Sequence, residues 1–388
     1  MGVGAQWRAA GRSTITAQRA DTRSGWSPQG KCCVHKRTCS SVCVATTGFV
    51  FLLGVCLLYL PDPLTLEPLV SEEDSPVTLL VWTHPFGRYR KLPDCFELSQ
   101  ISGCALTDDW GAYPQADAVI IHHRDVATGA SDLPPEPRPP EQKWIWLNYE
   151  SPSHTPRLWS FADVFNLTMS YRTDSDVFLP YGYLLPREPN TKTLQNRFAH
   201  PLRAPSRSHL LRPRLLAWVV SNWSESHARV AFYNQLRRYV HVDVFGRAGW
   251  PLPEGSGSVV RLVRRYQFYL ALENSQHTDY ITEKLWNAVR AGAVPVVLGP
   301  SRQNYERFLP REAFIHVDDF PTVRGLARYL LMLRRNPARL RRHLDWRDGY
   351  SVHQPAFWSE HYCAACRAVR RTRGRTALVQ DLTRWFHS

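Results

Sequence analysis

A chain of 388 residues, 44% hydrophobic and 21% charged, has the make-up of a folded protein of one or two domains, which excludes a disordered or low-complexity chain. Its formal charge of +14 is uneven: the N-terminal tail holds Arg8, Arg12, Arg19, Arg23, Lys31, Lys36 and Arg37 against Asp21 alone. Scattered arginines supply most of the remaining excess, so the charge by itself does not argue for nucleic acid.

Val42 to Leu60 is a run of 19 uncharged residues, VCVATTGFVFLLGVCLLYL. At about 1.5 Å per residue it reaches roughly 28 Å, enough for a thin bilayer. With the basic tail before it and Asp62, Glu67, Glu72, Glu73 and Asp74 after it, the positive-inside rule places residues 1–41 in the cytosol and 42–60 in the membrane. A cleaved signal peptide is the rival reading; the long tail and the lack of a small-residue cleavage site argue against it. Residues 61–76, acidic and Pro-rich, read as a stem.

Everything beyond then lies in an oxidising lumen, where Cys95, Cys104, Cys363 and Cys366 read as two disulfides. Cys363-Ala-Ala-Cys366 has too few partners for a zinc site. Cys32, Cys33, Cys39, Cys43 and Cys56 lie in or beside the membrane span, open to palmitoylation but more simply inert. A luminal domain makes nucleic acid an unlikely partner and an anionic sugar nucleotide an attractive one.

Short apolar runs at Val77 to Trp82, Ala118 to His122 and Lys143 to Leu147 predict buried parallel strands in a first block, 77–205. A Pro-rich basic stretch from about Pro186 to Pro213 marks the boundary. The second block, 206–388, predicts strand Leu215 to Val220, helix Glu225 to Tyr239, strand Val240 to Phe245, strand Tyr266 to Leu272, helix Tyr280 to Ala291, and strands Val294 to Leu298 and Phe314 to Val317. This is a doubly wound α/β pattern.

Such sheets bind ligands beyond the carboxyl ends of their strands. After Lys143-Trp-Ile-Trp-Leu147 comes Glu150, beside aromatic residues and a Pro-stiffened turn, where partial desolvation would raise its pKa toward general-base duty; the alternative is that it caps a short helix through His154. After Leu215 to Val220 come Ser221, Asn222 and then Arg229, which is either a phosphate fork or a surface arginine. After Tyr266 to Leu272 comes Glu273-Asn274-Ser275, and Thr278 or Asp279 is expected to cap the next helix. Lys284 in that helix's first turn opposes the dipole, a misfit that a diphosphate would resolve, leaving Glu283 to accept bonds from sugar hydroxyls. His122 and His123 point to opposite faces of an extended chain and do not suit one metal. Asp174-Ser175-Asp176 has the form of a D-x-D that holds Mn²⁺ on a diphosphate.

Phe268-Tyr-Leu-Ala-Leu-Glu-Asn-Ser-Gln-His-Thr-Asp-Tyr-Ile-Thr-Glu-Lys-Leu-Trp286 and Val294-Pro-Val-Val-Leu-Gly-Pro300 resemble the signature of the α1,3-fucosyltransferases. So do Glu150-Ser-Pro-Ser-His154, Met169 to Asp176, Pro180-Tyr-Gly182, Val242 to Arg247, Asn304 to Phe308 and Phe314 to Asp319. Tyr181-Gly-Tyr183, Asp243 to Ala248 and Asn336-Pro-Ala338 look most like the vertebrate myeloid-type, Lewis x-forming members.

The resemblance implies an α/β GT-B fold, two Rossmann-like domains facing a cleft, preceded by the single transmembrane helix, with the C-terminal segment returning to the first domain. It implies inverting transfer of L-fucose from GDP-fucose to the 3-hydroxyl of GlcNAc in type 2 lactosamine on glycoproteins and glycolipids, by a type II Golgi membrane enzyme. It implies Glu150 as base and Ser221, Asn222, Arg229, Tyr269, Asn274, Tyr280, Glu283 and Lys284 around the donor. His123, Arg124 and Asp125 fall in the acceptor region, and Arg124 is similar to members restricted to α1,3 transfer. No cofactor is obligatory, Mn²⁺ being at most a stimulant; Asp174 and Asp176 become structural, and a homodimer is left open.

Of the two sequons, Asn166-Leu-Thr168 and Asn222-Trp-Ser224, Asn166 is the expected glycan site, because a glycan on Asn222 conflicts with a donor pocket. Two rivals remain. A metal-dependent transferase of the GT-A kind would lose all activity on chelation. A catalytically dead glycan-binding relative would show a damaged base or phosphate grip, yet Glu150, Arg229 and Lys284 are all present.

Overall fold

The computed structural model describes residues 76–187, 212–252 and 259–388. The expected tail, membrane span, stem and most of the Pro-rich boundary lie outside the described residues. Among the described residues no helix is long and apolar enough to cross a membrane.

The first sheet holds β1 (Val77–Val81), β2 (Cys104–Thr107), β3 (Ala118–His122), β4 (Lys143–Leu147), β5 (Leu167–Ser170) and β6 (Val177–Phe178), in the order β2-β1-β3-β4-β5-β6. Every neighbouring pair is parallel. β3 and β4 are buried along their whole length; covered on both faces, such strands read as unbroken apolar runs, and their bounds were legible for that reason. Two short helices, α1 (Cys95–Ser99) and α2 (His123–Ala127), follow β1 and β3.

β7 (Tyr183–Pro186) leaves this sheet and pairs antiparallel with β13 (Tyr350–His353). The second sheet holds β8 (Arg214–Val219), β9 (Asp243–Phe245), β10 (Tyr266–Leu272), β11 (Val294–Leu298) and β12 (Ile315–His316), ordered β12-β11-β10-β8-β9 and parallel throughout. Its helices are α3 (Ala228–Leu236), α4 (Val259–Val263), α5 (Glu283–Ala291), α6 (Arg302–Glu306), α7 (Val323–Arg335) and α8 (Pro337–Arg342).

The last two helices, α9 (Ser359–Arg371) and α10 (Leu382–His387), bury Tyr362, Cys363, Cys366, Val369, Leu382 and Phe386 in the core of the first half. The four cysteines expected to form disulfides pair there as Cys95–Cys363 and Cys104–Cys366, at sequence separations of 268 and 262. Closing loops of that length removes on the order of 5 kcal/mol of denatured-chain entropy for the first bridge.

Two predicted helices begin late. Residues Ser224 to His227 form a turn with His227 at the cap position, so α3 starts at Ala228 and not near Glu225. The predicted cap of α5 at Thr278 or Asp279 is corrected: Asp279 has φ +61° and Thr282 stands at the cap. A left-handed residue breaks the helical path, and Asp tolerates that conformation better than most.

Candidate active site

The carboxyl ends of β4, β8 and β10 converge. Beyond β4, fully buried Asn148 ties the next turn together: its Nδ2 donates to Thr155 Oγ1 at 2.9 Å, and its Oδ1 accepts from the Glu150 N–H at 3.3 Å. The Tyr149 hydroxyl donates to the Leu179 carbonyl at 2.8 Å, and Tyr181 donates its hydroxyl to the Tyr149 carbonyl. Ser151, not Glu150, heads the short turn Pro152–His154, so helix capping does not account for the carboxylate. Among the described residues its oxygens enter no hydrogen bond or ion pair.

From the opposite half, Ser275 donates its hydroxyl to Ser151 Oγ at 2.7 Å, and Ser153 Oγ meets His277 Nε2 at 2.7 Å. The immediate neighbours of Glu150 and Asn274 are therefore hydrogen-bonded across the cleft. Tyr280 bridges the rest: burial pushes its hydroxyl well above the ordinary tyrosine range, helped by Glu273, Glu150 and Glu283 and opposed by Arg229. Tyr181 is raised likewise, by burial and then by Tyr280, Glu283 and Glu150. Both phenols sit within electrostatic reach of the carboxylate beyond β4 and of the acid at the head of α5.

Arg229, 3% exposed, lies in the first turn of α3. Its guanidinium donates to the Leu272 carbonyl at 3.5 Å and to the Asn222 carbonyl, while Nε is buried with no partner. Burial lowers its pKa, with Glu273, Tyr280 and Glu283 partly offsetting that pull. A desolvated cation served only by neutral carbonyls is costly unless an anion completes its shell. It is not the surface arginine of the bland reading.

Lys284 is held differently. Its Nζ lies 2.9 Å from Glu273 Oε2, 2.7 Å from Thr282 Oγ1 and 3.4 Å from Glu283 Oε1. Burial draws its pKa down, but Glu273 and then Glu283 outweigh this and hold it above the ordinary lysine value. Glu283 itself is 53% exposed, free to accept from a ligand. Tyr269 is buried in β10, its hydroxyl raised by burial and by Glu283. Ser221 and Asn222 are exposed at the end of β8.

The His122-to-Asp125 tetrad mostly serves the fold. Trp146 donates its indole N–H to His123 Nδ1 at 3.0 Å, so Nε2 carries the proton and donates to the Pro156 carbonyl at 2.8 Å. Burial drops the His123 pKa to about 4. Asp125 is buried against His122 Nδ1 at 2.8 Å. Only Arg124 reaches solvent, its guanidinium 5.5 Å from the centre of the Phe86 ring.

Asp174 is bound by Arg172 through Nε and Nη2, both at 2.8 Å, and Asp176 accepts from Thr168 N and Oγ1; both carboxylates of the D-x-D are engaged within the first half. Among the described residues no group of three or more His, Cys, Asp or Glu side chains could hold a metal ion. Asn166 is half-buried and used at both ends, accepting from Arg138 and the Trp144 N–H and donating to the Thr376 and Ala377 carbonyls. That weighs against a glycan on Asn166, whereas Asn222 is the exposed one of the two sequons.

Sequence reasoning missed Glu273 and Asp279 as parts of this site. Glu273 is 2% exposed and Asp279 3%. Asp279 Oδ2 accepts from Thr173 N at 2.9 Å and Thr173 Oγ1 at 2.8 Å, while Oδ1 accepts from Asn304 at 2.6 Å and Arg307 at 3.1 Å. It clasps the loop after β5 to α6, one residue before Tyr280.

Residues 74–182 match a family profile described as fucosyltransferase, N-terminal, and residues 210–385 one described as glycosyltransferase family 10 (fucosyltransferase) C-term. The chain is 49% identical over 352 residues to human alpha-(1,3)-fucosyltransferase 4, covering 80% of this chain and 64% of that protein's length. It is 44% identical to the rat protein of the same name, over 98% of this chain and 94% of the relative. It is 42% identical to mouse 4-galactosyl-N-acetylglucosaminide 3-alpha-L-fucosyltransferase 9, over 80% and 82%. Solved structures of an alpha1,3-fucosyltransferase, with GDP-fucose and with GDP, superpose with TM-scores of 0.50 and 0.51 at 17% and 18% identity. They cover 82% and 80% of this chain and 96% and 94% of theirs, in keeping with an α/β fold of the GT-B type. With both profiles placed in order and relatives this similar along most of its length, the chain belongs to glycosyltransferase family 10, the fucosyltransferases.

Proposed function

We propose that the chain transfers L-fucose from GDP-β-L-fucose to the 3-hydroxyl of GlcNAc in type 2 lactosamine with inversion; the names of its relatives support the α1,3 transfer of fucose to a 4-galactosyl-N-acetylglucosaminide. The observation that carries this is the hydrogen bond between Ser151 and Ser275, which sets Glu150 and Asn274 on either side of one contact. An acceptor lying against Glu150 would face a donor whose diphosphate rests by Arg229 and Lys284.

Glu150 takes the proton of the acceptor hydroxyl as that oxygen bonds to the anomeric carbon and the bond from that carbon to the diphosphate oxygen breaks. The charge left on GDP is met by Arg229 and Lys284. One displacement turns the β-linked donor into an α-linked product, with no covalent enzyme intermediate. Glu283, half exposed beside Lys284, suits a sugar or ribose hydroxyl.

The anchor at 42–60, a luminal catalytic portion in the Golgi, domains at 77–205 and 206–388, and independence from an obligatory metal belong to the same proposal. The intact donor cluster favours an active enzyme over a glycan-binding relative without catalysis. A secreted form of Val77–Ser388 is assayed with GDP-fucose and N-acetyllactosamine in EDTA, and the product linkage is read by NMR. An α1,3 product that drops about a hundredfold or more with Glu150→Gln is expected. A wild type inactive on neutral, sialylated and type 1 acceptors sinks the activity; an active Glu150→Gln sinks only the mechanism.

A further inference from the structure

Glu273 is a carboxylate sealed inside the protein, 2% exposed at the end of β10. Its Oε1 accepts from the Thr282 N–H at 2.9 Å, and the Thr282 hydroxyl lies 2.9 Å from both carboxylate oxygens. Its Oε2 accepts from Lys284 Nζ at 2.9 Å. The surroundings allow no slack: a Cβ on Gly299 would fall 3.2 Å from Glu273 Cγ and 2.4 Å from the Tyr305 hydroxyl. The backbone is pinned as well, the Glu273 N–H donating to the Leu298 carbonyl at 2.7 Å.

Thr282 occupies the cap position of α5, yet its side chain makes no capping bond to the helix. Its hydroxyl is turned instead to Glu273 and Lys284. An ordinary helix start would keep that oxygen for its own N–H groups, so the sequence gives up a cap to build a socket for an ammonium group.

An ammonium has three protons to donate. Lys284 spends one on Glu273 and one on Thr282, at 2.9 and 2.7 Å. Among the described residues the third has only Glu283 Oε1 near it, at 3.4 Å and on a half-exposed side chain. A carboxylate this deeply buried cannot lose its cation without becoming an unpaired internal charge. Lys284 is therefore not free to swing out toward a ligand; it meets an anion from where it is fixed.

We propose that Glu273 is a positioning residue which, with Thr282, anchors Lys284 so that its one uncommitted N–H is aimed at the diphosphate of the donor. The inference rests on the donor reading above. Glu273 touches no reacting atom in this scheme and acts only through Lys284. It also keeps that lysine charged in a buried place, so its removal exposes the lysine's own titration.

The test uses the full-length chain purified in detergent, with GDP binding measured by calorimetry and rates measured with varied GDP-fucose. Glu273→Gln keeps the shape and is expected to lower kcat/KM for the donor by about tenfold or more, with the acceptor KM within about twofold of wild type. It also brings in an alkaline fall in rate that wild type lacks. In a Lys284→Met background, the same change is expected to cause no further loss of kcat/KM, because the side chain it positions is gone and the carboxylate has already lost its cation. A tenfold loss in both backgrounds, or a wild-type rate for Glu273→Gln, overturns the proposal.

If Glu273→Gln does not fold, Thr282→Val serves: it removes the shared anchor and leaves both charges. A donor-specific loss that disappears in the Lys284→Met background supports the proposal, and a loss that persists there overturns it. A wild type that binds no GDP removes the donor reading and this inference together. GDP binding by wild type with rates indifferent to Glu273 and Thr282 removes this inference alone.

Discussion

Asp279→Asn should cost the protein much of its stability while changing neither its volume nor its backbone preference. Asn is among the few residues that tolerate φ near +61°, so the left-handed backbone is kept. In the native clasp both oxygens of Asp279 accept: Oδ2 from two groups of Thr173, Oδ1 from Asn304 and Arg307. An amide has one oxygen. Turned toward Asn304 and Arg307, its NH₂ confronts two donors; turned toward Thr173, it confronts the backbone N–H while the hydroxyl can rotate to accept, so at least one buried hydrogen bond becomes a repulsive contact. At about 1–3 kcal/mol for each buried group left unsatisfied, with the Arg307 pair discounted because that guanidinium is 51% exposed, the loss is about 2–3 kcal/mol. For a chain of this size that is a fall of roughly 3–5 °C in Tm, read by scanning calorimetry on the secreted form. Activity should fall too, since Tyr280 follows directly. Asp279→Gly removes the clasp and relieves the backbone together, and should lie about 1 kcal/mol above Asp279→Ala. A drop under about 2 °C for Asp279→Asn would refute the clasp.

Arg229→Met should weaken GDP binding about a hundredfold or more, yet shift Tm by less than about 3 °C, because a desolvated cation with only carbonyl partners contributes little to folding; calorimetry of both quantities checks the split, and a parallel loss of stability contradicts it. His361 is fully buried against the rings of Tyr149, Phe357 and Trp358, with centroids at 4.7, 4.3 and 5.8 Å. Burial lowers its pKa from 6.5 to about 3, with a backbone contact to Ala356 pulling the other way. The unfolded chain takes up this proton as pH falls through 6.5 and the folded chain does not, so stability is complete above pH 6.5 and drains away below it. His361→Phe should recover about 2–3 kcal/mol of the loss between pH 7 and pH 4.5. Urea titrations at the two pH values test this, and an equally steep decline in the variant rules it out.

Which strands could be read from the sequence follows from how they are covered. β10 and β11 are buried on both faces and appear as unbroken apolar runs, as do β3 and β4. β2, with the half-covered sequence Cys-Ala-Leu-Thr, and β6, two residues long, carry no such signal. β5 is fully buried, but its Leu-Thr-Met-Ser spends two of four positions on hydroxyls, one of which, on Thr168, is hydrogen-bonded to Asp176. Apolar pattern cannot reveal a strand whose polar groups are satisfied by partners elsewhere in the chain. The disulfide pairing was closed to sequence reasoning for a similar reason, since Cys363 and Cys366 meet Cys95 and Cys104 only once α9 has returned to the first sheet.

At the site, the residues proposed to meet a ligand could be picked out from the sequence, and residues that face other residues could not. Lys284 shows the difference. Placed in the first turn of α5, it opposes the helix dipole, and from sequence alone that misfit points to a bound diphosphate. In the structure Glu273 already supplies a negative charge at 2.9 Å, so the misfit has an internal explanation and is no longer independent evidence for an anion. Arg229 takes over that part of the argument: it is as buried as Glu273, it has no carboxylate at hydrogen-bond distance, and its Nε is unsatisfied. The sequence did hold a trace of the pair, an acid at the tip of a buried strand and a lysine where a helix should not want one. Neither alone reveals the pairing, because an acid at a strand end is usually solvated and a lysine in a first turn usually points to water. Their meeting depends on the turn between β10 and α5, which Asp279 sets by leaving the helical conformation at φ +61°. Asp279, one of the two residues that sequence reasoning offered as the cap of α5, is thus the one that delays the helix until Thr282, and so brings Lys284 onto Glu273.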